Sequence, residues 1–354
     1  MAKEYFIDDL LFHMSKMGAS DLHLTTGIPP MIRVSGDLQK MGEDILTPKV
    51  LKLLIYSIMN EQQIRRFEND KELDFAYSIS GLGRFRVNVF YQRDSTATVM
   101  RAISSEIKSV EELGIPSVTK DLALLPRGLF LVTGPTGSGK STTLAALVDF
   151  INLTRKSHII TIEDPIEYLH KHKSCVVNQR EVGSDTHGFV EALKRVLRQD
   201  PDVILLGEMR DLETIQTAVT AAETGHMVFA TLHTIDAAQT VDRIIDVFPP
   251  TQQEQIRIQL SNALQAVLCQ ALCKKITGGR AAAVELMIAS GAIRALIREG
   301  KSHQIHTTIQ MSAKLGMITM DQSLKDLYKR NLISKEEALS KSSNPAEFRQ
   351  FLME

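Results

Sequence analysis

The chain has 354 residues, enough for two or more domains, and its 44% apolar and 23% charged residues are the profile of a soluble globular protein. A formal net charge of −1 gives no overall basic excess for nucleic acid, and three cysteines (Cys175, Cys269 and Cys273) make no disulfide framework, which fits a reducing compartment. The start, Met1-Ala2-Lys3-Glu4, leads into an acidic amphipathic segment unlike a signal peptide, and no apolar run approaches the roughly 20 residues of a membrane helix, so a cytoplasmic protein without direct membrane insertion is expected.

Residues 5 to 17 place Phe6, Leu10, Leu11 and Met14 at helical spacing, and Gly18 stops that helix. Short extended pieces follow at 21 to 24 and 31 to 34, with turns at Gly27-Ile28-Pro29-Pro30 and Ser35-Gly36-Asp37. Thr47-Pro48 opens a helix carrying Leu51, Leu54, Ile55 and Ile58. Leu73, Phe75, Tyr77 and Ile79 alternate, as do Phe85, Val87 and Val89, across Gly81-Leu82-Gly83, which predicts a β-hairpin with one buried face. A further strand covers 96 to 103, so residues 1–105 read as a small α+β domain.

After a connector at 106–120 containing Gly114 and Pro116, the rhythm changes. Strands at 129 to 133, 158 to 162, 203 to 206 and 227 to 231 are separated by helical patterns at 141 to 153, 186 to 199 and 211 to 223. That order predicts, for residues 121–354, an α/β domain with a mainly parallel sheet covered by helices. Thr251 is expected to begin a long helix with Ile256, Leu260, Leu264, Val267 and Leu268 on its apolar stripe, placing Cys269 and Cys273 on one helical face. A last strand at 282 to 288 precedes a helical tail, in which Ser334-Lys335-Glu336-Glu337 reads as a capping box.

The stretch Gly134-Pro135-Thr136-Gly137-Ser138-Gly139-Lys140-Ser141, followed by Thr142, joins the first of these strands to its helix. Strand, glycine-rich turn, Lys-Ser and helix together form a phosphate-binding loop. Glycines let successive N–H groups converge on one concavity, and the positive end of the following helix favours anions there. Lys140 would reach the β- and γ-phosphates of ATP, and Ser141 would offer its hydroxyl to Mg²⁺.

Hydrolysis also needs a carboxylate near the metal and a group to orient water. Two apolar strands end in carboxylates, 203–206 before Gly207-Glu208 and 158–162 before Glu163-Asp164; either residue could touch metal or water, or could cap a helix. His226 and His233 bracket the strand between them, but their spacing of seven is not that of a compact zinc pair. Arg84, Arg86, Arg93 and Arg101 cluster on the predicted hairpin and next strand, as solvated edge charge or as cations supplied to a phosphate from a neighbouring domain or subunit.

Four ordered boxes now resemble the secretion ATPase superfamily, which drives type II and type IV secretion and type IV pili. They are Gly134 to Ser141, Thr161-Ile162-Glu163-Asp164-Pro165-Ile166-Glu167, Leu205-Leu206-Gly207-Glu208-Met209-Arg210-Asp211, and Ala222-Glu223-Thr224-Gly225-His226 through Thr231-Leu232-His233-Thr234. Gly18 to Leu24, Gly83 to Asn88 and Ala292 to Glu299 are similar to its pilus-retraction branch, which serves twitching motility. The resemblance implies a homohexameric ring whose protomers pair a PAS-like N-terminal domain with a RecA-like ATPase domain, ATP lying between the two. It implies that Lys140 and Ser141 hold phosphate and Mg²⁺, that Glu208 supports the metal and that Glu163 activates water. It further implies that His226 and His233 sense the γ-phosphate, that Arg86 and Arg101 reach across domains, and that the Arg294 to Glu299 helix couples to the pilus base.

The implied partner is an inner-membrane platform protein, with the ring recruited to the inner face of the membrane and a paralogous retraction ATPase as a further partner. The short turn at 274–280 has no tetracysteine insertion, and the PAS-like domain begins close to Met1; both favour retraction over assembly or secretion. Ala295 stands where the family segment carries Asn, which preserves the helix and removes a polar contact. The alternatives are an accessory retraction ATPase, an assembly or secretion ATPase, a nucleic-acid motor, which the 5% aromatic content disfavours, and a nucleotide sensor without turnover.

Overall fold

The computed structural model describes residues 6–34, 36–103 and 106–351. Expectations that touch Met1 to Tyr5, Ser35, Ser105 and the last residues of the tail lie outside the described residues. The chain divides into two compact units, Met1–Ser105 and Glu106–Glu354.

In the first unit, α1 (Ile7–Lys16) precedes three short strands, β1 (Asp21–Leu24), β2 (Met31–Val34) and β3 (Asp37–Lys40). Helices α2 (Pro48–Tyr56) and α3 (Glu61–Asp70) follow, then the long strands β4 (Glu72–Ile79), β5 (Gly83–Gln92) and β6 (Ser95–Ile103). The six strands form one antiparallel sheet in the order β3-β2-β1-β6-β5-β4. The hairpin read from the alternation is β4–β5, and its inward residues Leu73, Phe75, Phe85, Val87 and Val89 join Leu10, Leu11 and Met14 of α1 in one core. Arg93 and Asp94 both take positive φ, 48° and 59°, in the two-residue turn between β5 and β6, so Arg93 is part of that turn.

The second unit opens with α4 (Val118–Ala123), then β7 (Gly128–Thr133), α5 (Lys140–Thr154), β8 (His158–Glu163) and β9 (Val176–Glu181). Next come α6 (Phe189–Val196), β10 (Val203–Leu206), α7 (Leu212–Glu223), β11 (Met227–Leu232), α8 (Ala237–Asp246) and α9 (Pro250–Ala263). Strands β12 (Leu264–Lys274) and β13 (Arg280–Ile288) lead to α10 (Gly291–Arg298), α11 (Ile305–Met311), α12 (Met320–Lys329), α13 (Lys335–Lys341) and α14 (Pro345–Phe351). The seven strands run β13-β12-β7-β11-β10-β8-β9, all pairs parallel except the β12–β13 hairpin. Val110 and Ile115, in the expected connector, are buried in this unit's core.

Alternation along β7 explains the layers. Leu129 and Leu131 face a core shared with α6 to α10, while Phe130 and Val132 face the opposite core, packed by Leu144, Leu147, Val148 and Ile151 of α5. β10 and β11 divide their side chains between the same two cores. Among the described residues, no helix is long and apolar enough to cross a membrane.

One expected element is corrected. The helix from Thr251 does not continue through Leu268; it ends at Ala263, and Leu264–Lys274 is a strand pairing with β7 on one side and β13 on the other. Leu264 and Val267 fall at helical spacing by coincidence, whereas a strand buried on both faces shows no period of two. Cys269 and Cys273 therefore lie on β12, both buried and free, and no group of possible metal ligands surrounds them among the described residues. The capping box is also only half formed. Ser334 accepts from the Glu337 N–H, but Glu337 Oε1 accepts from the Lys274 N–H at 2.9 Å instead of turning back to Ser334.

Phe130 and Phe229 pack at 5.5 Å between ring centroids, both fully buried. Phe229→Ala is expected to cost about 3–5 kcal/mol, read as a lowered midpoint of urea unfolding.

Candidate active site

Because β7, β8, β10, β11 and β12 run parallel, their C-terminal ends share one edge of the sheet. β8, β10 and β11 fill one side of β7 and β12 the other, so the crevice beyond Thr133 is a topological switch point, where open α/β sheets bind ligands. The glycine-rich stretch sits there. Gly134 donates its N–H to Leu232 O at 3.3 Å, Ser138 donates to Pro135 O at 3.1 Å, and Gly139, with φ 92°, turns the chain into α5 at Lys140.

The glycines are required sterically. A Cβ on Gly134 would stand 2.3 Å from Gln270 O, and one on Gly139 would stand 2.9 Å from Gln270 Nε2. Ser138 Oγ is buried without a hydrogen-bond partner, an orphan donor inside the loop that fits an anionic ligand. Lys140 Nζ donates to Gly134 O at 2.8 Å and Pro135 O at 3.1 Å, which curls its side chain over the loop. Burial lowers its pKa, opposed by the charges of Glu208 and Glu167. Thr142 Oγ1 lies 2.9 Å from the Tyr168 hydroxyl.

Glu208 follows β10 in a turn fixed by both neighbouring strands. Gly207 donates to Ile162 O at 2.8 Å, Met209 donates to Thr231 O at 3.1 Å, and the Thr231 hydroxyl donates to Gly207 O. Glu208 Oε1 lies 3.1 Å from His233 Nε2 and Oε2 lies 2.8 Å from an Arg210 guanidinium nitrogen. Burial pushes the carboxyl up, but Arg210 and His233 outweigh it and hold the pKa below the ordinary value.

Glu163 ends β8 in a contrasting environment. Its Oε1 accepts from Thr161 Oγ1 at 2.6 Å and Gln179 Nε2 at 3.1 Å, and desolvation overrides these bonds and raises its pKa. Loop, Glu163, Glu208 and His233 thus share one edge of the sheet.

His226 does not join them. It stands at the N-terminal end of β11, where its carbonyl accepts from Gly128 N–H and its ring Nδ1 lies 3.0 Å from Ala221 O. The six residues of β11 separate it from His233 by roughly 20 Å. The two histidines therefore do not meet one phosphate within a protomer, because they occupy opposite ends of the same strand. In the first unit, Arg86 and Arg101 are directly opposed on β5 and β6. Arg86 Nε lies 3.6 Å from Asp74, and Arg101 Nε donates at 2.7 Å to the buried Asp21.

A parallel sheet packed on both faces, with a phosphate loop at its switch point, defines a P-loop nucleotide-binding fold. The profile of the type II/IV secretion system protein family matches residues 2–340, and the chain belongs to that family. It is 54% identical over 342 residues to the Pseudomonas aeruginosa protein named "Type IV pilus retractation ATPase PilT", covering 97% of this chain and 99% of that one. It is 43% identical over 343 residues to the same organism's "Type IV pilus ATPase PilU", covering 97% and 90%. A crystal structure of the pilus retraction motor PilT with bound ADP superposes with a TM-score of 0.93 at 49% identity, covering 98% of this chain and 100% of that one.

Sequence reasoning assigned no role to Thr161, Gln179, Tyr168, Arg210 or Gln270. Arg210 and Thr161 each lie two residues from the carboxylate they bond, Glu208 and Glu163, which is a local signal; Gln179, Tyr168 and Gln270 depend on chain crossings that carry none.

The raised pKa of Glu163 has a defined sign. The folded state holds this proton more tightly than the unfolded chain, so the group's contribution to stability falls as pH rises from the free value of 4.5 towards the folded pKa. Glu163→Gln is expected to lose hydrolysis while melting no lower than wild type at pH 7, with its relative stability growing as pH rises from about 4.5. Paired activity assays and melting curves across pH test this.

Proposed function

We propose that the chain is a hexameric motor ATPase that hydrolyses ATP to drive type IV pilus retraction, and with it twitching motility. The observation that carries this reading is the convergence of the loop, Glu163, Glu208 and His233 on one sheet edge, in a chain alike over almost its whole length to a retraction ATPase. Its greater identity to that protein than to the PilU relative supports the principal motor over an accessory role. The PAS-like unit 1–105 and the RecA-like unit, expected over 121–354, would be the two lobes that swivel, with the expected connector 106–120 moving with the second unit, whose core buries its Val110 and Ile115. The ring would act in the cytoplasm, at the inner face of the membrane, on a platform protein of the pilus base.

ATP would lay its phosphates along the loop Gly134-Pro135-Thr136-Gly137-Ser138-Gly139, on N–H groups running from Thr136 into the first turn of α5; Pro135 has none to donate, and those of Gly134 and Ser138 are held by Leu232 O and Pro135 O. Lys140 would exchange its two carbonyl bonds for phosphate oxygens. Ser141 and Glu208 supply the hard oxygen donors that suit Mg²⁺, which when bound offsets the phosphate charge. Both oxygens of Glu208 already hold partners, so His233 and Arg210 would release or share them as the site fills. His233 would thereby register the γ-phosphate through Glu208. Glu163, oriented by Thr161 and Gln179, has the raised proton affinity of a base for the attacking water. Arg86 and Arg101 would supply positive charge towards the phosphates from the first unit. Within the unit Asp74 and Asp21 already offset these opposed like charges, so Arg86 and Arg101 would share those carboxylates with the phosphates.

Lys140→Ala and Glu208→Ala are each expected to lower kcat by at least about 100-fold, with rings still formed in electron micrographs. A strain without the protein should carry excess pili and fail to twitch. Near-normal turnover by either variant would remove the assigned chemistry, and bald cells would replace retraction by assembly.

A further inference from the structure

The phosphate loop rests on a side chain from the other side of the sheet. Gln270 lies on β12 one residue beyond Cys269, which is in register with Thr133 at the end of β7, so it flanks the point where the loop begins. It is only 4% exposed. Its Oε1 accepts a 2.7 Å hydrogen bond from Thr143 Oγ1, itself buried in the first turn of α5. Its main-chain oxygen sets the 2.3 Å limit at Gly134, and its Nε2 sets the 2.9 Å limit at Gly139. One residue therefore abuts the first glycine of the loop, the last, and the helix whose amides complete the anion site.

We propose that Gln270 is a positioning residue for nucleotide, forming the floor against which the phosphate loop is moulded. Apolar packing could fill the same volume, but it could not hold the α5 turn at a fixed height through Thr143. A buried carboxamide bonded to that hydroxyl fixes both the distance and the direction of approach. Because β12 carries this floor, the curvature of the loop is coupled to the β12–β13 hairpin, and a displacement of either moves the other. This inference rests on the nucleotide-binding reading of the loop, and it adds a residue that touches the loop and not the ligand.

The experiment uses the full chain and a fluorescent N-methylanthraniloyl-ADP. Gln270→Met keeps the volume and removes the hydrogen bond, and Thr143→Val removes the same bond from its other end. Each is expected to weaken binding about tenfold, the scale of one buried hydrogen bond, and to raise KM for ATP more than it changes kcat. The double variant should be no weaker than the worse single one, because both remove one interaction. A purely structural role would lower the melting temperature without this split or this non-additivity.

Binding within about twofold of wild type in either variant, or fully additive losses, overturns the proposal. If Gln270→Met fails to fold, Thr143→Val decides alone. Lys140→Ala separates the two readings. If it binds the probe like wild type, the nucleotide site itself is misplaced; if it loses the probe while Gln270→Met keeps it, only the floor is refuted.

Discussion

A parallel sheet buried on both faces cannot slip. Moving β7, β10 or β11 by one residue would exchange the side chains of the α5 core with those of the α6 to α10 core, so both packings would fail together. That constraint aligns the strand ends and lets hydrogen bonds run beyond the strands into the loops. Gly134 N–H bonds to Leu232 O, Gly207 N–H to Ile162 O and Met209 N–H to Thr231 O, each donor lying past the end of its own strand and each acceptor on the neighbouring strand. The phosphate loop and the Glu208 turn are thus anchored to extensions of a ladder and not carried by free loops, and their geometry follows from the packing beneath them.

On that edge the two acidic groups are pushed in opposite directions. Burial dominates at Glu163, where the partners are neutral and the proton affinity rises; at Glu208, Arg210 and His233 reverse the burial effect and keep the carboxylate ionised. Two carboxyls separated in this way suit unlike tasks, one taking a proton and the other holding charge beside a cation. Lys140 belongs to the same balance, since burial lowers its pKa while Glu208 and Glu167 oppose that.

The parts legible in sequence were those written in consecutive residues. An apolar run closed by a glycine turn or a carboxylate locates β7 with its loop, β8 with Glu163 and β10 with Glu208, and alternation locates the β4–β5 hairpin; the neighbouring β5–β6 pair sets Arg86 opposite Arg101. β12 was hidden because a strand covered on both faces has no alternation, and its Leu264 and Val267 continued the stripe of α9. β9 and α3 carry too few apolar residues for a clear period, whereas α8 does show one, with Ala237, Val241, Ile244 and Ile245 at helical spacing. Gln270 and Thr143 are 127 residues apart, and Gln179 reaches Glu163 across 16; pairings at such separations leave no mark in local spacing. His226 shows the reverse limit: the resemblance pairs it with His233 as a γ-phosphate sensor, although β11 holds the two at opposite ends.

The strands beneath the phosphate loop also hold the C-terminal helices. Lys274 N–H on β12 donates to Glu337 of α13, Val284 N–H on β13 donates to Ser323 of α12, and Glu285 on β13 accepts from Ala237 N–H at the start of α8, four residues after His233. Arg294 of α10 is turned inward, donating to the carbonyls of Ser261 and Asn262 at the end of α9 and to Gln265 Oε1 at the start of β12. The inward arginine of the Ala292 to Glu299 segment therefore braces the α9–β12 junction, leaving Arg298 and Glu299 as its exposed charges. Through Arg294 the helix that bears those exposed charges is tied to the end of α9 and the start of β12. Ala295 fits this arrangement, since a helix that works by bracing from one side needs a strong helix former there more than another polar group.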